Sequence, residues 1–161
     1  MKRPEGNQQQ NAAFRTFEDL EVYKKAREFR KSMYAVSRKL PTFEKYNLGS
    51  QIRRASVSLT NNIGEGHGKY RYLEQIKFQL QARGSLEEPI DDLNVCEDEG
   101  YLLEDDVRIL KERARDVQRL ISGYVRYLRD QKAGSSLLIR ETTHEKRVDD
   151  DFDELCNDLT I

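Results

Sequence analysis

Apolar residues recur along this chain at the three-and-four spacing of amphipathic helices, in four separate stretches. The first stripe is Val22, Ala26, Phe29, Met33, Val36 and Leu40. Thr16 with Asp19 three residues on gives it a capping-box start, and Pro41 gives it a stop. The second is Leu48, Ile52, Ala55, Leu59 and Ile63, with Thr42 as the predicted cap. Gly64, Gly66 and Gly68 are predicted to end it, because closely spaced glycines penalise helix and permit positive φ. The third runs over about residues 70–99, with Leu73, Ile76, Leu80, Leu86, Ile90 and Leu93 inward. Ala82, Gly84 and Ser85 form a narrow waist there, open to another helix backbone, and Pro89 predicts a kink. The fourth carries Leu103, Val107, Leu110, Ala114, Val117, Ile121, Tyr124 and Leu128, the most regular heptad of the four. Acids at its start (Glu104, Asp105, Asp106) and bases at its predicted end (Arg126, Arg129, Lys132) suit the helix dipole. Four such helices with short connections predict an all-α, antiparallel up-down-up-down bundle.

Residues 55–64 break the chain's habit. In a protein that is 35% charged they hold no charge at all, and between the apolar positions stand Ser56, Val57, Ser58, Thr60, Asn61 and Asn62. These are middling helix formers, so packing on more than one side must hold this helix. Outside the predicted bundle of residues 14–132, residues 1–13 are polar and predicted disordered. Ala133-Gly134-Ser135-Ser136 looks like a linker to an acidic tail. Within that tail Val148, Phe152, Leu155 and Leu159 recur at helical spacing among acids, and Phe152, Leu155 and Leu159 are the candidate partner-docking residues. The alternatives are that the segment covers the chain's own basic face, or only solubilises it.

Net charge is −1, but it is unevenly distributed. Residues 14–83 hold 15 Lys and Arg against 7 Asp and Glu; residues 84–132 hold 8 against 13, and residues 133–161 hold 3 against 8. Such asymmetry points to a polyanion on the basic side, or else to protomers meeting head to tail. Lys24, Arg27, Lys31 and Arg38 share the face of the first helix turned away from its apolar seam. Lys25, Lys39, Arg53, Arg54, Lys69 and Arg71 complete the candidate nucleic-acid-binding set, with Tyr23 and Tyr34 as stacking or packing groups. Arg53 and Arg54 diverge by about 100° on a helix. One is therefore assigned to structure, pairing with Glu65 or a neighbouring chain's acid, and the other to a phosphate. Cys96 and Cys156 make no disulfide framework and suit a reducing compartment. No apolar run approaches ~18 residues and the N-terminal segment lacks a signal core, so a cytoplasmic protein is expected.

Catalytic and cofactor chemistry find little support. Gly64-Glu65-Gly66-His67-Gly68-Lys69 invites a phosphate-loop reading, but Ile63 stands where the first glycine is needed and Tyr70 where Ser or Thr is. Neither His67 nor His144 has a glutamate three residues before it, so no bundle-type metal site is expected. Glu97, Asp98 and Glu99 fan around a helix end, and Cys96 is expected to pack as a small apolar group. No enzyme activity, metal or cofactor is predicted.

Several short motifs occur together in order. They are Phe17, Leu20, Val22 and Tyr23; Leu40-Pro41; Leu48; Gln51-Ile52-Arg53-Arg54-Ala55 with Ser58; Asn62-Ile63-Gly64-Glu65-Gly66; and Gly84-Ser85-Leu86 with Glu88. This set resembles the four-helix-bundle proteins encoded within intervening sequences of bacterial 23S rRNA genes, over roughly residues 14–130. The family's usual Asn-Ile-Ala-Glu-Gly has Gly64 for alanine here, and its Glu-Leu-Glu-Thr is Glu88-Pro89-Ile90-Asp91. The resemblance implies a ring-like homopentamer and an association with RNA or other nucleic acid. A related branch, the accessory proteins of diversity-generating retroelements, binds a reverse transcriptase, so the alternative is a protein-docking accessory subunit.

Overall fold

The computed structural model describes residues 16–139. They contain four α-helices and no strand: α1, Glu21–Lys39; α2, Leu48–His67; α3, Tyr72–Asp98; and α4, Glu104–Ile139. Short 3-10 turns, Phe17–Asp19 and Thr42–Glu44, precede α1 and α2. A compact unit of the chain extends to Arg129, and Asp130 begins a second, whose described part is helical through Ile139. The predicted N-terminal arm lies outside the described residues.

The capping box at Thr16 is present, with both the Thr16 and Asp19 side chains bonded to backbone, but it caps the 3-10 turn rather than α1. Leu20 is extended, and α1 starts after it. The α1 stripe is as the spacing predicts: Val22, Ala26, Phe29, Met33 and Val36 are buried, and Leu40 packs partly against the core. Thr42 does not cap α2. That role falls to Glu44, whose carboxylate accepts the Leu48 N–H at 3.3 Å, at the end of the helix where an anion is favoured.

The three glycines do not end α2 together. Gly64 and Gly66 lie within it and Gly68 is its C-cap, at φ −76°. Among the described residues the glycine with positive φ is Gly100, at 68°. It closes α3 with the Tyr101 N–H bonded to the Cys96 carbonyl at 2.8 Å and its own N–H to Glu97 at 3.0 Å, the paired pattern of a Schellman motif. α3 runs unbroken through a buried Pro89. α4 continues through residues 133–136, where a linker was expected, so Arg126, Arg129 and Lys132 do not form its last turn. Leu103, at the head of the predicted heptad, is 75% exposed, whereas Val125 joins the core.

The uncharged run lies inside, as expected. α2 packs against α1, α3 and the first 3-10 turn. Ala55, Ser56, Leu59, Thr60 and Ile63 are buried, and of residues 55–64 Asn61 alone is exposed. The small polar side chains are used between helices. Ser58 and Ser85 hydroxyls meet at 2.9 Å between α2 and α3, and Arg30 of α1 donates to the Thr60 hydroxyl at 2.7 Å. A lysine at Ser56, which is fully buried, would place a charge in the core, at a cost of several kcal/mol.

Candidate nucleic-acid interface

The first helix presents the candidate cations by simple periodicity. With Val22, Ala26, Phe29 and Met33 turned into the core, Lys24, Arg27, Lys31 and Arg38 fall on the opposite side, and all four are exposed. Their surroundings differ. Lys24 is paired with Glu21 at 2.9 Å, and that ammonium holds the Glu21 carboxyl below its ordinary range. Lys25 is paired with Glu28 at 3.1 Å. Exposed i,i+3 pairs of this kind contribute little and break readily for a better anion. Arg27, Lys31, Arg38 and Lys39 are exposed and make no ion pair among the described residues. A shallow cleft beside them, lined by Lys25, Glu28, Phe29, Arg113 and Asp116, balances two cations against two carboxylates. The excess positive charge therefore lies on the outer face of α1.

The two adjacent arginines divide their roles, though not as anticipated. Arg53 is half-buried and donates to the Lys45 carbonyl at 3.0 Å, tying α2 to the connection before it. Arg54 is exposed, and its charge acts on Asp92 of α3. Glu65 pairs with neither; its cation is Lys69, at 3.1 Å. Lys69 also lies 4.7 Å from the centre of the Phe78 ring, so it is largely committed to the bundle. Arg71 is exposed and makes no ion pair among the described residues. Lys69 and Arg71 sit at the α2–α3 corner, whereas the other candidates lie on α1 and α2.

The Asn62-Ile63-Gly64-Glu65-Gly66 motif is structural in its contacts. The Asn62 amide donates to the Ser58 carbonyl at 3.0 Å and reaches Ser85 at 3.4 Å; Ile63 is fully buried, and Gly66 faces Phe78 and Gln79. The glycines do not offer free amides to a phosphate: the Gly68 N–H is bonded to Gly64 and Glu65 carbonyls and the Lys69 N–H to Gly66. Tyr23 is half-buried edge-to-face on Phe17, with ring centres 4.8 Å apart, so it packs. At the waist residue Gly84 a Cβ would meet nothing within 4 Å among the described residues. Phe152, Leu155 and Leu159 lie outside the described residues.

Two features were missed in the sequence. Tyr70, 97% exposed between Lys69 and Arg71, carried a signal in its basic neighbours. Asp92 carried none. It is 7% exposed, its Oδ2 has no hydrogen-bond partner, and its carboxyl is pushed up to about 6. Burial is the main cause, Glu88 and Asp91 add to it, and Arg54 opposes them. Burial likewise pushes the Cys96 thiol to about 11, with help from Asp92 and Glu44, which leaves an inert packing group. No group of His, Cys, Asp and Glu suited to a metal ion, and no helix long and apolar enough to cross a membrane, occurs among the described residues.

A family model described as 23S rRNA-intervening sequence protein matches residues 18–123, which takes in α1, α2, α3 and the first part of α4. No curated protein matches the chain.

Proposed function

This chain belongs to the 23S rRNA-intervening sequence protein family, and on that footing we propose that it is a non-enzymatic nucleic-acid-binding bundle that grips phosphates with the outer face of α1. One observation carries the reading. Arg27, Lys31 and Arg38 lie on one exposed helical face and make no ion pair among the described residues, in a chain whose net charge is −1. Leaving like charges gathered on one face is unfavourable unless an anion meets them, and a phosphate backbone supplies anions at helical-turn spacing. Lys24 and Lys25 add to the face once their weak pairs with Glu21 and Glu28 exchange for phosphates. Contacts of this kind position a nucleic acid without reading its bases, so binding is weakly selective in sequence.

On the same reading the bundle is up-down-up-down and assembles as a ring-like cytoplasmic homopentamer. The open backbone face at Gly84 supports close approach by a second copy. Native mass of the purified protein tests the assembly. Binding to a structured RNA at about 50 and about 200 mM salt tests the function. Tight binding at the lower salt and a steep loss at the higher supports it, and no binding at the lower salt ends it.

A further inference from the structure

The corner between α2 and α3 has the sequence His67-Gly68-Lys69-Tyr70-Arg71-Tyr72, and it is stiffly built. Gly66 lets the two helices close to a distance that a side chain would forbid. The Gln75 side-chain amide donates to the Lys69 carbonyl at 2.9 Å, and the Gly68 N–H is bonded to Gly64 and Glu65. The Lys69 ammonium is held between the Glu65 carboxylate and the Phe78 ring. Two side chains escape this bracing. Tyr70 is almost wholly in water, and Arg71 beside it is exposed with no ion pair among the described residues.

A hydrated ring removes no apolar surface from water and so adds nothing to the fold. What the corner offers instead is a flat π face on a hydrogen-bonded turn, next to a guanidinium with no ion pair among the described residues. We infer that it is a stacking site for single-stranded nucleic acid, with an unpaired base on the Tyr70 ring and the adjoining phosphate on Arg71. The chemistry fits that ligand because each of its repeat units carries both a π face and an anion. The braced backbone keeps the ordering cost of binding low. The inference rests on the nucleic-acid reading above and deepens it. The α1 face meets phosphates of a duplex or a single strand alike, whereas stacking on a side chain requires a base free of its partner.

The chain has no tryptophan, so Tyr70→Trp creates a single fluorescent reporter in the full-length protein. It is titrated with a labelled ten-nucleotide oligouridylate and with an RNA duplex of the same length, following tryptophan quenching and label anisotropy together. The expected result is quenching by the single strand and little by the duplex. Tyr70→Ala should weaken single-strand binding about tenfold, and Arg71→Gln should weaken it also. Both positions are exposed, and unchanged thermal melts confirm folding. Binding by anisotropy without quenching, together with full affinity in Tyr70→Ala, overturns the corner site while leaving the α1 reading standing. No binding of either RNA overturns both.

Discussion

Gly66 and Phe78 approach so closely that a methyl group on Gly66 would fall 2.8 Å from the Phe78 Cβ, with the Gln79 amide nitrogen at 3.1 Å and the Gln75 carbonyl at 3.3 Å. Backbone and a Cβ cannot swing aside as a side-chain tip can. Gly66→Ala should therefore push α2 and α3 apart at the corner and cost about 1–3 kcal/mol by overpacking. Chemical denaturation of the variant against the parent checks this, and equal midpoints would refute the close approach.

Gly64, two residues earlier, predicts the opposite sign. A Cβ there would meet the Phe17 ring at 3.4 Å, an ordinary contact, in a helical position that alanine suits. Gly64→Ala should stabilise the fold by about 0.5–1 kcal/mol through lower unfolded-state entropy and added packing. It would also restore the alanine usual in the motif. A loss of stability would show that the Phe17 turn lies tighter against α2 than described.

Asp92 should make stability pH-dependent in an unusual direction. Its carboxyl is raised from 3.8 to about 6, so between those values the folded state holds more protons than the unfolded one. Stability attributable to this group is then fully present below pH 3.8, is lost as pH rises through about 6, and stays flat beyond. Asp92→Asn should remove that slope and, above pH 7, raise stability by about 1–3 kcal/mol, since it ends an unpartnered buried charge. Melting curves from pH 4 to 8 for both proteins decide it. An Asn variant less stable at neutral pH would mean that the pull of Arg54 outweighs burial.

The helices were legible because burial leaves a periodic trace. The α1 stripe and the buried, uncharged middle of α2 are visible in residue spacing alone. Ends were harder to read. Thr16 and Thr42 both look like caps, yet one caps a 3-10 turn and the other caps nothing, since Glu44 reaches the α2 start instead. Gly64 and Gly66 look like breakers because composition does not distinguish a glycine that ends a helix from one that lets a neighbour close in. Cations could be placed on a face by periodicity, but their neutralisation could not. Lys69 pairs with Glu65 four residues away, while the Arg53 guanidinium reaches a backbone carbonyl eight residues back. Asp92 is invisible in sequence because its burial is set by how α2 and α3 meet.

The central claim is that phosphates are held by the unneutralised face of α1. Its most direct test is the dependence of RNA affinity on salt, compared between the parent and an Arg27→Gln, Lys31→Gln, Arg38→Gln triple variant. All three positions are exposed, so the variant should fold normally. Each lost phosphate contact removes about 0.7–0.9 from the slope of log affinity against log salt. The triple variant should bind more weakly, with a slope shallower by about 2–3 units. An unchanged slope and affinity would contradict it.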